Sequence, residues 1–447
     1  MCKNENGERK ITEGTGKKSG ITIIGGGLAG CEAAWQICRR GGSVRMFEMR
    51  PVVSNPVHAT DNLAELVCSN SLGSDSPEGA PGELKSELRK LNSLIMEAAD
   101  NTRVPAGQAL AIDRILFSKY IEEKLLSCPG FELIRGEASE IPSEGITVIA
   151  TGPLTSDNMA KSLSELIGSG FLYFYDAVSP VITAESIDTT KAFAANRYGK
   201  GTPDYLNCSM SREEYDAFYD FLINAERVDP HDFERGHFFE GCMPVEEIAI
   251  RGKQTLLFGP MKPVGLDDKA EAVVQLRKEN SEGTLYSLVG FQTRLKWGEQ
   301  KKLVQMIPGL ENAEIVRYGV MHRNIFINSP KVLNQSFSLK SSPDVFMAGQ
   351  ITGVEGYTES SAAGLLAGIN AWKHSNGEPP VIPPPETVLG SLVKHITDAE
   401  IENFQPMNAN FGIMPELQMK AKKKDRKLAK VNRAVKAMDE WLASSEI

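Results

Sequence analysis

Regular patterning of apolar and polar positions begins at Ile21. The preceding residues, 1–19, are polar and contain glycine, so we expect them to form a loose tail. From Ile21 the chain continues as a short apolar run, ITII, then GGGLAG, a helix-like stretch CEAAWQICRR, and a second apolar run within SVRMFEM. This order predicts a strand, a helix and a second strand, which together form a βαβ unit.

Later patterns extend this plan. Leucine and isoleucine recur at helical spacing after Pro81, which predicts one amphipathic helix over about 82–99. The run ITVIATGP at 146–153 predicts a buried strand ending in a Gly-Pro turn. Near 344 the run DVFMAGQITGVEGYTESSAAGLLAGINAW brings back a strand, a glycine loop and a helix of small residues. The N-terminal fold is therefore expected to resume there.

A glycine motif follows the first predicted strand and opens the first predicted helix. Its spacing is GxGxxGxxxAxxxxxxG. In this context the first glycine makes a tight turn, the second lets the backbone approach a pyrophosphate, and the third allows the helix to pack on the sheet. Glu48, which ends the second strand, is placed to accept hydrogen bonds from ribose hydroxyls. The turn expected to hold the cofactor comprises Gly25, Gly26, Gly27, Leu28, Ala29 and Gly30.

A second glycine segment distinguishes between the two dinucleotides that such a motif binds. It surrounds the start of a helix whose first turn carries Glu359, Ser360 and Ser361. A helix N-terminus facing a flavin ring favours the anionic reduced flavin. No second GxGxxG occurs in the sequence, so a nicotinamide nucleotide would visit rather than reside. The prediction is resident FAD, held also by Gly349, Gln350, Gly353 and Gly356.

These patterns predict an α/β protein with a discontinuous Rossmann-type FAD-binding domain. Short β-prone runs, polar loops and aromatic clusters between the two glycine segments predict a smaller inserted α+β domain. The expected division is a tail at 1–19, the first part of the FAD-binding domain at 20–175, the inserted domain at 176–314, and the second part at 315–447.

Composition fits a globular enzyme and restricts its partners. The 447 residues are 41% hydrophobic and 24% charged, which is enough for a large core and two or three domains. A net charge of −9 argues against a protein that coats nucleic acid or an anionic membrane with its whole surface. Nine lysines and arginines between 420 and 436, against one acid, form the local basic segment available to a polyanion.

The seven cysteines show neither CxxC pairs nor zinc-site spacing, which favours reduced thiols in a cytoplasmic protein without a metal. No apolar run approaches the roughly 20 residues that a membrane helix needs. Cys68 in AELVCSNSL and Cys242 in FFEGCMP lie in segments that suit chemistry. Packing is the commoner role of a lone cysteine, whereas a thiolate with freed backbone amides nearby is a nucleophile.

Eleven sequence blocks carry a resemblance that covers nearly the whole chain from Ile21 to about Trp372. They are GGGLAGCEAAW, FEMRPV, AELVCSNSL, RVPAGQALAIDR, ATGPLTS, YFYDA, FFEGCMPVE, LLFGPMKPVGL, LVGFQTRLKWGEQ, RYGVMHRNIFINSP and AGQITGVEGYTES. In these blocks the sequence closely resembles the folate-dependent tRNA uracil-5-methyltransferase family, the FAD enzymes called TrmFO.

The resemblance implies a reaction. Methylenetetrahydrofolate donates a one-carbon unit to FAD reduced by NAD(P)H, and the flavin passes it to C5 of the T-loop uridine of tRNA. Uracil C5 becomes nucleophilic only after a group adds at C6, which explains the need for a thiolate. By family analogy, Cys242 matches the nucleophile and Cys68 matches a second cysteine that transfers a proton or protects the flavin.

Two clusters are candidates for substrate binding. Folate needs a planar stacking partner and cations, and the block VMHRN supplies them. Stacking and charge in TRLKWG suit either RNA or folate. The residues expected to bind substrate are His322, Arg323, Asn324, Arg294 and Lys296.

Four alternatives stay open at this point. The same chemistry acts on ribosomal RNA in one branch of the family. A related GidA-like flavoenzyme modifies the wobble uridine of tRNA and should be longer. A flavin oxidoreductase of small molecules would need neither RNA nor folate. The last alternative is a flavin-stabilised RNA-binding module without turnover. The oligomeric state is not predicted.

Overall fold

The structure, a computed structural model, describes residues 20–53, 57–168, 172–177, 179–199, 202–228, 237–238, 243–280, 283–319, 321–399, 404–417, 423–445 and 447. Only the backbone is described for 172–177, 237–238, 321–324 and 423–424. The tail predicted over 1–19 lies outside the described residues.

The strands are β1 (Ile21–Ile24), β2 (Val44–Glu48), β3 (Ser71–Ser74), β4 (Arg103–Val104), β5 (Ala109–Ile112), β6 (Phe131–Arg135), β7 (Thr147–Ile149), β8 (Leu172–Ala177), β9 (Val181–Thr183), β10 (Phe193–Ala194), β11 (Leu206–Met210), β12 (His237–Phe238), β13 (Ala272–Lys278), β14 (Leu285–Leu288), β15 (Ile315–Arg317), β16 (Met321–Phe326) and β17 (Val345–Met347).

The α-helices are α1 (Leu28–Cys38), α2 (Ala80–Lys90), α3 (Leu94–Asn101), α4 (Arg114–Leu126), α5 (Asp157–Ile167), α6 (Arg212–Asn224), α7 (Val245–Ile250), α8 (Lys253–Phe258), α9 (Trp297–Gln305), α10 (Ser329–Val332), α11 (Tyr357–Ser375), α12 (Val388–Asp398) and α13 (Lys423–Ser444).

A five-stranded parallel sheet in the order β17-β7-β1-β2-β6 forms the first half of the molecule. The predicted βαβ unit is confirmed, since β1 leads through α1 into β2, and Ile21 lies opposite Val44 in a parallel pair. The buried strand predicted within 146–153 is β7. Parallel strands with helical crossovers give the Rossmann-type α/β fold that the sequence predicted.

Helices α1 and α11 pack against each other so closely that their contact requires glycine. A Cβ atom at Gly364 would lie 2.2 Å from the carbonyl oxygen of Ala29, and one at Gly368 would lie 2.6 Å from Cα of Ala33. Strand β17, just before α11, pairs with β7 in the same sheet. The N-terminal fold therefore does resume near residue 344, as predicted.

The single helix predicted over 82–99 is wrong, because two helices occupy this range. Helix α2 ends at Lys90 and α3 begins at Leu94. Asn92 between them has a left-handed φ of +55°. The Ser93 side chain then caps α3 by accepting a hydrogen bond from the backbone N–H of Met96 at 3.2 Å. The apolar spacing continues across the break because both helices face one core.

A second sheet lies within the middle of the chain, in the order β10-β11-β13-β14-β9-β15. Its strands and helices α6 to α9 enclose a second apolar core, built from residues between Ile182 and Ala313. The first core uses residues before Thr151 and after Ile325. The domain limits themselves stay a prediction, which these two cores favour.

Two three-stranded sheets complete the described fold. One has the order β12-β8-β16, and the other has the order β3-β5-β4. In the first of these, β16 runs antiparallel to β8, so the strand that enters the middle of the chain pairs with the strand that leaves it.

Part of the C-terminal basic segment forms α13, and two of its cations serve the fold itself. Lys430 is only 8% exposed and donates to the carbonyl oxygen of Phe411 at 2.7 Å. Arg433 donates to the carbonyl oxygens of Pro415 and Glu416. These two cations therefore have main-chain partners, and residues 418–422 lie outside the described range.

Candidate functional site

A cleft opens along the carboxyl edge of the parallel sheet. Its volume is about 1040 Å³, counted together with its open mouth. Open α/β sheets bind ligands at this edge because the loops that follow parallel strands converge there. Every strand of the sheet contributes residues at or just after its carboxyl end, namely 24–29 at β1, 47–50 at β2, 136–138 after β6, 150–156 after β7, and 349–350 after β17.

The first glycine loop has the geometry needed to receive a phosphate. Gly25 has a φ of +106°, and a Cβ atom at Gly30 would lie 1.9 Å from the carbonyl oxygen of Gly25. At Gly27 a Cβ atom would meet no described atom within 4 Å, so the backbone there faces open space. Helix α1 starts at Leu28 without a side-chain cap. Its first amide groups are thus left for an anionic ligand.

Glu48 lies at the end of β2, where the motif requires an acid, and it is 5% exposed. Its Oε2 accepts from the N–H of Gly26 at 3.0 Å, and its Oε1 accepts from the backbone N–H and the Nε of Arg50 at 3.0 and 2.8 Å. Burial would raise the pKa of Glu48, but the hydrogen bonds and charge of Arg50 lower it overall. The carboxylate therefore stays ionised and braces the glycine loop at the wall of the cleft.

The four residues predicted from the second glycine segment divide into two pairs. Gly349 and Gln350 line the cleft, and a Cβ atom at Gly349 would lie 2.8 Å from Cβ of Ala29. Gly353 and Gly356 are not among the cleft-lining residues. Gly353 instead packs against the ring of Phe404. Both glycines have positive φ, which the turn into α11 requires. Their part in holding a cofactor stays a prediction.

Cys68 lies next to the cleft through a contact with Tyr357. Its Sγ is 2.8 Å from the Tyr357 hydroxyl, and Tyr357 is the first residue of α11 and lines the cleft. The hydroxyl oxygen also accepts from the backbone N–H of Cys68 at 2.8 Å and from that of Ser69 at 3.2 Å. Burial raises the pKa of Tyr357 well above its ordinary value, so this phenol stays protonated.

Arginines surround the Cys68 loop on the side of the second sheet. Arg277 on β13 donates to the Ser69 hydroxyl at 2.8 Å, and Arg114 on α4 donates to the carbonyl oxygen of Leu66 at 2.7 Å. Arg317 on β15 has a pKa lowered to about 10 by burial and by repulsion from Arg114. At this pKa the Arg317 guanidinium stays charged near neutral pH, as guanidinium groups in proteins generally do.

One carboxylate faces these arginines. Glu279 is 5% exposed and lies 2.8 Å from Nε of Arg114. Its burial would raise the pKa, but the attraction of Arg114, Arg277 and Arg317 lowers it overall. The Nε and Nη2 atoms of Arg317 are buried and have no hydrogen-bond partner among the described residues.

Three other predicted residues lie on a strand beside the cleft. His322, Arg323 and Asn324 belong to β16, opposite residues 174–176 of β8. The strand is joined to the cleft wall, because the N–H of Ile325 donates to the carbonyl oxygen of Pro153 at 3.1 Å. The side chains of 322–324 are not described, so their role stays a prediction. Cys242 lies outside the described residues.

Arg294 and Lys296 are not among the cleft-lining residues, and both have acidic partners. Arg294 forms an ion pair with Glu247, and its backbone N–H donates to Glu246 at 2.8 Å. Lys296 is 2.7 Å from Glu226 at the surface. Arg294 is therefore committed to the packing of α7, whereas Lys296 remains accessible.

Sequence reasoning missed the residues that meet at Cys68. Tyr357 lies in the block AGQITGVEGYTES, two residues before the acid and serines of the predicted helix start. Arg114 ends the block RVPAGQALAIDR, and Arg277 and Arg317 follow β-prone runs. Only the block membership of Tyr357, Arg114 and Arg317 offered a signal, since nothing in their spacing shows that they meet.

Two further findings concern metal binding and membrane insertion. Within the described ranges, no group of three or more His, Cys, Asp or Glu side chains is arranged to hold a metal ion. Among the described helices, none combines the length and the apolar character that a membrane crossing requires.

The fold is that of GidA. A solved structure of Aquifex aeolicus GidA in its form I crystal matches with a TM-score of 0.68 at 16% identity, covering 96% of this chain and 76% of that chain. The form II crystal of the same protein gives a TM-score of 0.67 at 17% identity. The family described as "Glucose inhibited division protein A" matches residues 20–379.

Closer relatives carry a more particular name. "Methylenetetrahydrofolate--tRNA-(uracil-5-)-methyltransferase TrmFO" of Geobacter sulfurreducens is 57% identical over 430 residues, which is 95% of this chain and 99% of that protein. The protein of the same name in Acetivibrio thermocellus is 54% identical over 429 residues, 95% of this chain and 98% of that one. The chain therefore belongs to the GidA family of flavoproteins and, within it, to the TrmFO family.

Proposed function

We propose that this chain is an FAD- and folate-dependent enzyme that methylates C5 of the T-loop uridine of tRNA. Methylenetetrahydrofolate is the proposed carbon donor, and NAD(P)H is the proposed source of electrons. The observation that carries the proposal is the hydrogen bond between the thiol of Cys68 and Tyr357, a residue that lines a cleft of the dinucleotide-binding type. The chain that builds this site is more than half identical to TrmFO proteins.

The cleft fits FAD by its shape and its donors. The open backbone at Gly27 and the uncapped start of α1 suit a pyrophosphate. Glu48 is ionised and lines the cleft, where its carboxylate would accept a hydrogen bond from a ribose hydroxyl. Gly349 and Gln350 would flank the flavin end, next to Tyr357. When bound, FAD would supply the electrons and carry the one-carbon unit.

The residues of this chain would hold and activate the pyrimidine. A sulfur that adds at C6 makes C5 nucleophilic. Cys242 is proposed as this nucleophile by its family position, and Cys68 as the second reacting group beside the flavin. His322, Arg323 and Asn324, on the strand fastened to the cleft wall, are proposed to bind folate.

An exposed aromatic pair offers a surface for the RNA. The rings of Trp297 and Tyr318 stack with centroids 5.2 Å apart at 16°, and Trp297 is 62% exposed. Tyr318 directly follows Arg317, which interacts electrostatically with Cys68. The aromatic pair is therefore attached to an element of the cysteine site. Nucleobases stack on such rings regardless of sequence. Lys296, adjacent to Trp297, is proposed to contact phosphate, and Arg294 to position this loop.

A direct assay tests the proposal. Purified protein should be yellow and should transfer label from methylenetetrahydrofolate to unmodified tRNA when NAD(P)H is present. The same assay with ribosomal RNA, and with labelled S-adenosylmethionine as donor, gives the comparison. Transfer from S-adenosylmethionine, or to ribosomal RNA alone, would refute the proposed reaction or substrate.

A further inference from the structure

The Cys68 loop is held by hydrogen bonds from the second sheet as well as by contacts within its own half of the molecule. Asn70 donates to the carbonyl oxygen of Lys278 at 2.8 Å and accepts from Nε of Arg277 at 2.9 Å. Arg277 also reaches Ser69, the residue after the cysteine. The side chains around the sulfur therefore come from both cores, and their arrangement is specific to the assembled fold.

The charges around this loop do not balance. Arg114, Arg277 and Arg317 contribute three positive charges, and Glu279 contributes one negative charge among the described groups. The two neighbouring phenols, Tyr205 and Tyr357, are neutral because burial raises the pKa of each. Among these described groups the positive charges outnumber the negative one. Arg277 and Arg317 both interact electrostatically with Cys68.

The direction of the Tyr357 hydroxyl adds to this field. Its oxygen has two lone pairs, and two backbone N–H groups occupy them, those of Cys68 and Ser69. The hydrogen of the hydroxyl is then left for the Cys68 sulfur at 2.8 Å. A hydrogen bond donated to sulfur stabilises the anion more than the thiol.

We propose that Arg277, Arg317 and the Tyr357 hydroxyl hold the sulfur of Cys68 as a thiolate in the resting protein. The step is an acid dissociation in which the S–H bond breaks, the electron pair stays on sulfur, and the proton passes to water. Arg277 and Arg317 are thus positioning residues that act on the reacting sulfur across the boundary between the two sheets. This inference rests on the proposed function for its purpose, but it can be tested without RNA or folate.

The test is the rate at which iodoacetamide alkylates Cys68 in the purified full-length protein. Mass spectrometry of the digested protein follows each cysteine peptide separately. The rate is measured between about pH 6 and 9, a range that includes the ordinary pKa of a thiol. Only thiolates react, so the rate reports the ionised fraction. In Arg317→Gln and Arg277→Gln we expect the pH midpoint of alkylation to rise by about one pH unit, and the rate at a pH below the wild-type midpoint to fall about tenfold, since one nearby opposite charge commonly shifts a pKa by about one or more.

Glu279→Gln supplies the opposite sign. Removing the Glu279 carboxylate, which pairs with Arg114, should raise the alkylation rate of Cys68 at the same pH. Arg197→Gln is the matched control, because Arg197 is a partly buried arginine that bonds to the carbonyl oxygens of Lys262 and Val264. That variant should leave the rate unchanged, and Cys128 in the same digest serves as the internal reference.

Conservative variants separate charge from folding. Arg317→Lys and Arg277→Lys keep the positive charge and should recover most of the wild-type rate, with circular dichroism and flavin absorbance confirming the fold. Equal rates in the wild type and both glutamine variants would overturn the inference. So would a change of the same sign in the arginine and glutamate variants. If the alkylation rates change as expected but the wild-type protein transfers no methyl group to tRNA, the result counts against the proposed function and not against this inference.

Discussion

At the scale of single residues, the contact between Cys68 and Tyr357 dominates the candidate site. One hydroxyl serves three groups, namely the sulfur and two backbone amides. The carboxylate of Glu48 has a comparable part at the other end of the cleft, where it joins Gly26 to Arg50. Each of these side chains organises a loop and also faces the space proposed for a ligand.

Tyr357→Phe should separate these two duties. The variant leaves two buried amide groups without their acceptor, at about 1–3 kcal/mol for each buried unmet group, and removes the donor to sulfur. We expect flavin to remain bound and methyl transfer to fall by about tenfold to a hundredfold. Steady-state rates at saturating tRNA, together with thermal unfolding, measure both effects.

Tyr120→Phe is the matched control for this change. Its hydroxyl bonds Glu97, and it lies on α4 outside the cleft-lining residues. Methyl transfer in this variant should equal that of the wild type. If Tyr357→Phe were as active as Tyr120→Phe, the hydroxyl would have no part in the reaction.

At the scale of elements, helix packing holds the cleft in shape. Helix α11 carries Tyr357 at its start and lies against α1, which carries the glycine motif. Helix α2 is joined to α13 by the ion pair of Lys90 and Asp439 at 2.5 Å. It is joined to α12 by Glu87, which accepts from the first two amides of that helix.

Gly364→Ala tests the α1–α11 contact. The added methyl group would lie 2.2 Å from the Ala29 carbonyl oxygen, so the two helices must separate. Overpacking of this kind commonly costs about 1–3 kcal/mol. We expect lower thermal stability and weaker flavin retention, both measured on purified protein.

Gly298→Ala provides the comparison. This glycine is also helical, in α9, but a Cβ atom there meets no described atom within 4 Å. Helix propensity alone then favours alanine by up to about 1 kcal/mol. A loss of stability in Gly298→Ala equal to that in Gly364→Ala would show that the packing explanation is wrong.

Glu83 makes the packing of α2 sensitive to pH. It is 3% exposed, and burial raises its pKa to about 7, above roughly 4.3 in an unfolded chain. The folded protein therefore keeps a proton that the unfolded chain has lost between these values. The stabilising contribution is complete below about pH 4.3 and is lost as the pH rises through about 7.

Replacement of this group gives a prediction with a definite sign. Glu83→Gln should unfold at a higher temperature than the wild type at pH 8, with a gain of up to about 3 kcal/mol, and should differ little at pH 4. Glu123→Gln, at an exposed position on α4, should show no such pH dependence. A gain of the same size at both pH values would contradict this account.

At the scale of the whole molecule, the two cores meet at the candidate site. The glycine loops belong to the first core, whereas Arg277 and the Trp297–Tyr318 pair belong to the region of the second sheet. A substrate as large as tRNA reaches beyond one cleft and needs such a combined surface. The net charge of −9 makes stacking and local cations more important than a general attraction.

Trp297→Ala should weaken tRNA binding through the loss of stacking, which is worth about 1–3 kcal/mol per base. We expect KM for tRNA to rise about tenfold or more while kcat and flavin content stay close to wild type. Trp297→Phe should restore most of the affinity, since a smaller ring still stacks. Unchanged KM in Trp297→Ala would remove this surface from the proposal.

Much of the fold could be predicted because its signals are local. Adjacent residues encode the strand, glycine turn and helix at Ile21–Cys38. The same holds for β17 and α11, where the N-terminal fold resumes. The break between α2 and α3 was missed because the apolar spacing continues through Asn92, whose left-handed backbone has no apolar signature. The glycines of the second segment were recognised, but spacing alone could not show that Gly353 and Gly356 face the protein.

The sequence by itself determined the parallel α/β plan and the glycine loop, because each depends on neighbours along the chain. Only the tertiary structure decided which side chains meet Cys68. Tyr357 is 289 positions away and Arg277 is more than 200, and their approach depends on the packing of two separate cores. The electrostatic surroundings of a sulfur are a sum over spatial neighbours, so they appear only when the chain is folded.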